Sequence, residues 1–251
     1  ALRHLQADGS IGTVRLPAGP RLPPSHQHAD DITIHTDSIA SAKIAIDGAI
    51  MPFCQASGSV LNLSKSTGLM LGDHASLQGL EPTTGITFAA PTASVKHLGV
   101  PLTTGDRAAA AANAWQRLVG AVAARVRHWS AHSLTLPGRV YVAKQLMAST
   151  ITHLASFIEP PPAQLKAMQR LIDGFILHQP IGHPSADRPL RGRPSAAIKA
   201  LPGSEGGLAA PDIDLQATAL RAKTAARLLH PQRRPWKALA HLGFKIGRAH
   251  V

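Results

Sequence analysis

The chain has 251 residues, of which 44% are hydrophobic, so it can form a core within one large domain or two smaller ones. A net charge of +12 indicates a polyanionic partner, because Lys and Arg side chains that neutralise phosphates release condensed counterions. The single Cys54 excludes a disulfide framework and a cysteine-cluster zinc site, and neither a long apolar run nor a signal-peptide pattern occurs, so we expect no membrane span and no secretion.

The first quarter of the chain predicts a loop, a hairpin and a helix in that order. Residues 1–24 are rich in Gly and Pro and predict a loop with room for one short strand. From Ser25 to Thr36, apolar and polar residues alternate, which predicts a β-hairpin with Ala29-Asp30-Asp31 at its tip. Asp37 or Ser38 can cap a helix that ends at Ser57-Gly58. The expected apolar positions of this helix are Ile39, Ala42, Ile46, Ile50 and Phe53.

Two further strands are expected after this helix. Val60–Leu71 predicts a strand with Lys65-Ser66 at its centre, and Val95–Leu102 predicts another that carries Leu98-Gly99-Val100. A hairpin, a helix and two more strands, followed by helices, indicate an α+β fold built on an antiparallel sheet.

The remainder of the chain predicts helices separated by breaks. One follows Gly105, a second lies between Pro137-Gly138 and Pro160-Pro161-Pro162, and a third begins after those prolines. Residues 179–211 predict an extended connection, and a last helix is expected from near Pro211-Asp212 to about His230. The apolar stripes expected for the first three helices are Trp115, Leu118, Val119, Val122, Val126 and Trp129; Val142, Leu146, Thr150, Leu154 and Phe157; and Leu165, Met168, Leu171, Ile172 and Phe175.

Positive charge is concentrated after residue 104. Residues 1–104 carry 6 basic and 7 acidic side chains, residues 105–158 carry 6 and 1, and residues 159–251 carry 14 and 6. No acid occurs between Arg107 and Ile158, so two helices with an apolar side and otherwise only positive charge predict a surface suited to a phosphate backbone. The alternative is a compositional preference for Arg and Ala in a GC-rich genome.

Several segments, in order, resemble the reverse transcriptases of non-LTR (LINE-like) retrotransposons. His28-Ala29-Asp30-Asp31 is similar to their aromatic-Ala-Asp-Asp motif, SGSVLNLSKSTGLMLG (57–72) to the motif that follows it, and VKHLGVPL (95–102) to the strand that grips the primer. The segments RVRHWS (125–130), LPGRVYVAKQ (136–145) and SEGGLAAPDIDLQATALRAK (204–223) also resemble segments of these enzymes in the same order. The similarity covers most of residues 9–240.

The resemblance implies a C-terminal part of such an enzyme. Residues 1–24 would be a loop remnant of the palm, 25–104 a partial palm with an antiparallel hairpin and a packed helix, 105–160 a helical thumb, and 161–244 a basic connector of helices and irregular segments. The intact enzyme would use Mg²⁺, an RNA template, a DNA primer and dNTPs for two-metal nucleotidyl transfer.

The resemblance implies catalytic roles for three residues. Asp30 would be the firm metal ligand and Asp31 the second, less tightly engaged carboxylate, since hard Mg²⁺ prefers carboxylate oxygens. Lys65 would approach the triphosphate and could protonate the departing pyrophosphate. From the residues alone, a solvated turn is the far more common role of an Asp-Asp pair, and Lys65 could equally be an ordinary exposed lysine at a strand end.

A second group of residues would contact the template and primer. His28 stands where the family has Phe or Tyr, and it would pack near the primer terminus with a pH sensitivity that an aromatic ring lacks. Leu98 and Gly99 would grip the primer, where a glycine lets the backbone approach closely; a buried strand with a bend is compatible with this role.

Basic side chains of the predicted thumb would bind phosphates of the template and primer. The candidates are Arg125, Arg127, Arg139 and Lys144. A charged helix face can also be merely solvated, so this alternative stays open. Trp115 and Trp129 are expected to be core residues rather than platforms for base stacking.

The chain also departs from the family. The third catalytic Asp and the nucleotide-selecting motif precede the hairpin in the family, and nothing in residues 1–24 is similar to them, since Asp8 stands in a loop-like context. We therefore expect a fragment that does not polymerise alone or, alternatively, a non-catalytic nucleic-acid-binding remnant. Residues 246–251 (IGRAHV) read like the translation of a common sequencing adapter, so residues 245–251 are expected to be an artefactual tail.

Overall fold

The computed structural model describes residues 1–15, 21–71, 84–90, 92–177, 195–231 and 237, and the predicted tail at 245–251 lies outside them. The chain divides into two compact units, one built from Ala1–Val95 with the residues after His230 and the other from Lys96–His230. Helices and small two-stranded sheets occur together, so the predicted α+β class is confirmed.

The described parts of Ala1–Val95 in the first unit contain three short helices and two small sheets. Its helices are α1 (Leu2–Ala7), α2 (Ile39–Ala45) and α3 (Met51–Ser57), and its strands are β1 (Ser25–His28), β2 (Asp31–Ile34), β3 (Thr67–Gly68) and β4 (Thr87–Phe88). Strands β1 and β2 pair antiparallel, whereas the two-residue strands β3 and β4 pair parallel.

Helix α1 corrects the prediction of a loop over residues 1–24. The glycines and prolines that motivated this prediction begin at Gly9, whereas the residues of α1 include neither type. Tertiary packing also holds α1, since Leu5 lies so close to Gly48 that a Cβ built at Gly48 would be 3.4 Å from Leu5 Cδ1. Helix α1 is therefore fixed by contacts that sequence composition did not reveal.

The predicted helix after the hairpin is confirmed at both ends. Ser38 Oγ accepts a hydrogen bond from the backbone N–H of Ser41 at 3.1 Å, and Gly58 ends α3 with a φ of 72°. One π-helical turn, Ile46–Ile50, joins α2 to α3. Because a π turn adds a residue per turn, it shifts the later positions, and Phe53, expected on the apolar face, is 52% exposed.

The strand predicted at Val60–Leu71 is wrong except for Thr67–Gly68. Leu63–Lys65 forms a 3₁₀ turn instead, and the side chain of Asn62 accepts a hydrogen bond from the backbone N–H of Lys65 at 3.2 Å. Asn side chains favour turns by capturing local N–H groups in this way, so the backbone hydrogen bonds that a strand needs are used within the turn.

The single strand predicted at Val95–Leu102 is a hairpin. Strands β5 (Ser94–His97) and β6 (Val100–Thr103) pair with each other, and Leu98-Gly99 forms the connection. Leu98 has a φ of 46° and Gly99 a φ of 86°, and two consecutive positive φ values characterise the tight turns that reverse a strand. Leu98 in this conformation is not predictable from strand propensity, since a bulky residue rarely adopts it.

Helices dominate the second unit. They are α4 (Arg107–Ser130), α5 (Leu136–Val142), α6 (Thr152–Ala155), α7 (Pro162–Ile176), α8 (Ala196–Ala200) and α9 (Ile213–Leu229). Helices α4, α7 and α9 confirm the predictions. Asp212 caps α9, because its carboxylate accepts a hydrogen bond from the N–H of Leu215 at 2.9 Å. Gln169 on α7 accepts another from the N–H of Ile213, which links the start of α9 to α7.

The apolar stripe predicted for the second helix is only partly confirmed, since Val142 and Leu154 are buried whereas Leu146 and Phe157 are exposed. Pro137 lies in the first turn of α5 rather than at a break, a position that tolerates proline because its N–H is not needed there. A π turn (Ala143–Met147) and a 3₁₀ turn (Ala148–Ile151) follow α5 and rotate the buried face. Phe157, expected in the stripe, is 67% exposed, and Leu146 is also exposed. The buried residues are Val140, Val142, Ala143, Met147, Ala148, Ile151, Leu154 and Ala155.

The predicted extended connection at 179–211 is only partly described. Its described portion includes α8 and a 3₁₀ turn at Gly203–Glu205, so it is more regular than expected. Lys199 on α8 forms an ion pair with Asp173 on α7, which attaches this segment to the helical unit. Residues 179–194 of this segment lie outside the described ranges.

One hydrophobic cluster fills the second unit. Residues from the predicted thumb and from the predicted connector contribute to it, including Trp115, Val122, Val126, Met147, Ile151, Met168, Ile172, Ile176 and Ile213, all at most 1% exposed. The two predicted segments therefore share one core. Within the described part of the chain, no helix combines the length and apolarity that crossing a membrane requires.

Candidate functional site

The Asp-Asp motif lies on a tight hairpin in the first unit. In the register of β1 and β2, Ser25 pairs with Ile34 and His28 with Asp31, so the connection consists of Ala29 and Asp30. Asp31 is the first residue of β2, and Asp30 is the second residue of the turn. The motif places its two carboxylates on consecutive residues whose backbone is held by cross-strand pairing.

Ala29 has a φ of 53°, which lies in the left-handed region. For a residue with a Cβ this conformation costs about 1–2 kcal/mol, and Gly or Asn would normally occupy it. Strained residues persist only where the surrounding structure imposes the conformation, and they cluster at functional sites. The residue next to the two aspartates therefore carries backbone strain.

The base of the hairpin is fixed by histidine and proline. The N–H of His35 donates to the carbonyl of Pro24 at 2.9 Å, and His35 Nδ1 lies 3.1 Å from the carbonyl oxygen of Pro23. The rings of His26 and His35 also meet edge to face, with centroids 5.0 Å apart. These contacts hold the end of the hairpin opposite the aspartates.

The tip of the hairpin is open to solvent. His28, Asp30 and Asp31 are all exposed, and no hydrogen bond or ion pair within the described ranges occupies either carboxylate. Both aspartates are consequently free to bind a ligand. Their carboxylate oxygens suit Mg²⁺, which proteins hold through one or two carboxylates while it retains several waters. The donor set fits part of a magnesium site.

No third ligand joins the pair among the described residues, where no three His, Cys, Asp or Glu side chains are grouped to hold a metal ion. Asp8, the only acid that precedes the hairpin, caps the end of α1, and its carboxylate accepts a hydrogen bond from the N–H of Ser10 at 2.9 Å. The hydrogen bonds from the Ser10 side chain and backbone lower the pKa of Asp8 below its ordinary value. Asp8 is thus engaged in a local turn.

Lys65 is exposed on its 3₁₀ turn in the same unit. Among the described residues, its ammonium group forms no ion pair or hydrogen bond with Asp30 or Asp31. The predicted catalytic triplet is therefore two adjacent carboxylates with a lysine on a separate turn.

Leu98 and Gly99, the predicted primer-grip residues, form the exposed turn of the second hairpin, in the second unit. His153 Nε2 donates a hydrogen bond to the carbonyl oxygen of Leu98 at 2.6 Å. A Cβ built at Gly99 would lie 3.0 Å from the same nitrogen, so a larger residue at position 99 would displace the histidine. The turn is therefore anchored on α6.

His153 is a contact that the sequence did not indicate. It lies 55 residues from Leu98 in the chain, and its ring packs against Phe157 with centroids 5.3 Å apart. No spacing or motif connects a histidine on one helix with the turn of a distant hairpin. Only the folded chain brings them together.

The four candidate phosphate-binding residues lie on adjacent helical segments of the second unit. Arg125 and Arg127 are on α4, Arg139 is on α5, and Lys144 is on the π turn that follows α5. Arg127 and Lys144 are exposed, whereas Arg125 and Arg139 are half-buried. Arg139 Nε is buried without a hydrogen-bond partner in the described part of the chain, so its side chain is held largely by packing.

The two expected core tryptophans both contribute to the hydrophobic cluster. Trp115 is fully buried, as predicted, and Trp129 is partly buried and packs against the cluster. Both tryptophans therefore belong to the core, as the sequence predicts.

No family model matches the chain, and no curated protein is significantly similar to it. The functional interpretation therefore depends on the residues and their geometry.

Proposed function

We propose that the chain is the late palm, thumb and connector of a retroelement RNA-directed DNA polymerase of the non-LTR type. The observation that carries the proposal is the hairpin formed by β1 and β2. It combines consecutive, exposed and unpaired carboxylates with a two-residue connection whose first residue is strained. A two-residue hairpin turn requires a positive φ at its first residue, and Ala29 adopts this conformation at a local cost, so the turn brings the two aspartates onto consecutive residues of a short, closed connection.

In the proposed enzyme, Asp30 and Asp31 would hold Mg²⁺, which would supply Lewis-acid stabilisation of the phosphates during nucleotidyl transfer. Cross-strand pairing holds the backbone on both sides of the turn, which limits the movement of the two residues relative to each other. Asp31 pairs with His28 across the strands, so the residue expected near the primer terminus lies beside the ligand pair. Lys65 would neutralise the triphosphate once substrate draws the elements together.

The 251-residue chain would not supply every ligand that such an enzyme needs. Two-metal nucleotidyl transfer in this family uses a third aspartate that precedes the hairpin, and Asp8 is engaged by Ser10. We therefore expect no DNA synthesis by this chain alone. A longer protein that includes the upstream motifs would be the active form.

The test is a substitution in such a longer protein. Asp30→Asn preserves the side-chain shape and removes the charge that holds the cation. We expect primer extension on an RNA template to fall by at least about a hundredfold, the scale of losing one electrostatic stabiliser. Asp214→Asn, at an exposed position of α9, is the matched control and should leave extension unchanged. Wild-type extension by the Asp30 variant would refute the assignment.

A second candidate function is non-catalytic binding of an RNA–DNA duplex. The absence of any acid between Arg107 and Ile158 favours it, since α4 and α5 then present only positive charge to solvent. Neutralising Arg127 or Lys144 with Gln should lower the slope of log affinity against log salt by about 1 for each phosphate contact removed.

Arg227→Gln, an exposed arginine of α9, is the control for this measurement and should change neither affinity nor slope. Salt-dependent duplex binding without synthesis by a longer protein would favour the binding function over the polymerase. If the protein does not bind an RNA–DNA duplex at low salt, α4 and α5 serve neither the polymerase nor the non-catalytic binding function.

A further inference from the structure

The C-terminal end of α4 brings two histidines and a tryptophan together. His128 lies in the last turn of the helix and His132 follows it by four residues, just beyond the helix end. The two imidazole centroids are 5.3 Å apart, and the Trp129 ring lies 5.7 Å from the first and 5.1 Å from the second. This cluster is separate from the Asp-Asp hairpin and plays no part in the function proposed above.

The spacing of the two rings suits a shared metal ion. Metal–nitrogen distances of about 2.0–2.1 Å put each ring centroid about 3.2 Å from the ion, so ligand angles of about 90–110° need centroids about 4.5–5.2 Å apart. The observed 5.3 Å lies just above that range. A small reorientation of the His128 ring towards His132 would therefore allow the two rings to share an ion.

The hydrogen bonding of His132 leaves the correct nitrogen available. Its Nδ1 lies 3.2 Å from the carbonyl oxygen of His128. A carbonyl oxygen only accepts, so Nδ1 must carry the proton, and in the neutral ring Nε2 then has the free lone pair. Metal-binding histidines commonly donate their second nitrogen to a backbone carbonyl in this way, which fixes the orientation of the ring.

Accessibility and charge select the kind of ion. Both histidines are exposed, and no hydrogen bond to the His128 ring occurs within the described ranges. No carboxylate of the segment from Arg107 to Ile158 is available to attract a hard cation such as Mg²⁺. Two imidazoles with open positions for water favour first-row transition metals, with affinity rising from Co²⁺ to Ni²⁺ and Cu²⁺.

We propose that His128 and His132 form a two-histidine site for a divalent transition-metal ion at the C-terminal end of α4. Both rings would ligate the ion, and water would complete its coordination. The chelate would join the last helical turn to the first residues after the helix. Binding would therefore stabilise the end of α4 in addition to occupying the site.

Trp129 is a local reporter for the test. Paramagnetic Ni²⁺ quenches the fluorescence of a nearby indole, and Trp129 contacts both proposed ligands. Titration of the untagged, metal-free chain with NiCl₂ should give saturable quenching that is lost in Trp129→Phe. Isothermal titration calorimetry on the same samples supplies the stoichiometry. Cu²⁺ should bind more tightly than Ni²⁺ in the same assay.

Single substitutions distinguish this chelate from adventitious binding to the other histidines. His128→Gln and His132→Gln should each weaken Ni²⁺ binding at this site at least tenfold and abolish the Trp129 quenching, because one imidazole alone cannot chelate. His4→Gln, an exposed histidine of α1, is the matched control and should leave both signals unchanged. Circular dichroism spectra should be identical among the variants without metal. Wild-type quenching and affinity in either ligand variant would overturn the proposal.

Discussion

Among the described residues, the two compact units differ in the number and size of the apolar side chains that they bury. The second unit packs large side chains such as Trp115, Met147 and Ile172 into one continuous cluster. The first unit buries mainly Ile11, Ala45, Ile46, Ala49 and Ile50. Both units leave some large apolar side chains exposed, among them Phe53 in the first and Phe157 in the second. Buried apolar area is the main stabilising term in folding, so the second unit should be the more stable by itself.

The proposed metal ligands do not lie in the unit with the larger hydrophobic core. The hairpin with Asp30 and Asp31 belongs to the sparsely packed unit, whereas the basic helices belong to the densely packed one. A strained residue such as Ala29 adds to the cost of folding in the unit where less apolar burial offsets it.

Removing a large side chain from the second unit should have the largest effect. Ile172→Ala leaves a cavity at a fully buried position of α7 and should lower the free energy of unfolding by about 2–5 kcal/mol. Urea denaturation followed by circular dichroism measures it. Leu215→Ala, at a position of α9 that is 64% exposed, should change stability by less than about 0.5 kcal/mol. Equal effects of the two substitutions would contradict the described core.

The corresponding change in the first unit should be smaller. Ile46→Ala empties a buried position in the π turn, and we expect a loss of about 2 kcal/mol, the low end for such substitutions, because a sparse core relaxes into the space. Hydrogen exchange of the α2 and α3 amides localises the effect. Ile44→Ala, at an exposed neighbouring position, serves as the control. A loss as large as that of Ile172→Ala would remove the contrast between the units.

Loss of a helix cap should cost less again. Asp212→Ala removes the acceptor for the N–H of Leu215 and should destabilise the second unit by about 1 kcal/mol. Thermal unfolding provides the measurement. Asp214→Ala, in the first turn of α9, changes the same charge without removing the capping hydrogen bond and should have a smaller effect. A larger loss of stability in Asp214→Ala than in Asp212→Ala would show that Asp212 is not the capping residue of α9.

Relief of strain at the hairpin should give the smallest effect and the opposite sign. Ala29→Gly removes the Cβ at a positive φ and should stabilise the first unit by less than about 1 kcal/mol, because the greater freedom of glycine in the unfolded chain offsets part of the gain. Ala40→Gly, at an exposed position within α2, should instead destabilise by about 0.5–1 kcal/mol. Destabilisation by both would show that Ala29 is not strained.

Local sequence signals predicted the elements whose ends are set locally. Ser38 and Asp212 cap their helices, and apolar spacing identified α4 and α7, because caps and periodicity depend on residues within a few positions of one another. The antiparallel pairing of Ser25–His28 with Asp31–Ile34 followed from alternation around a short polar turn. In each case the signal and the structure involve the same few residues.

The failures occurred where helix geometry is irregular or contacts are distant. The π turns at Ile46–Ile50 and Ala143–Met147 shifted the buried faces, so Phe53 and Phe157 were assigned to faces that they do not occupy. A regular 3.6-residue period cannot anticipate an inserted residue in a turn. The positive φ of Leu98 likewise escaped prediction, since strand propensity argues against it.

The sequence by itself determined the class of the fold, the principal helices and the position of Asp30 and Asp31 on a hairpin, because these follow from alternation, periodicity and capping along the chain. Only the tertiary structure decided the strain at Ala29, the anchoring of the Leu98 carbonyl by His153 and the meeting of the imidazoles of His128 and His132 beside Trp129. The physical reason is that backbone strain and side-chain geometry are set by packing around each residue, which a linear pattern does not encode.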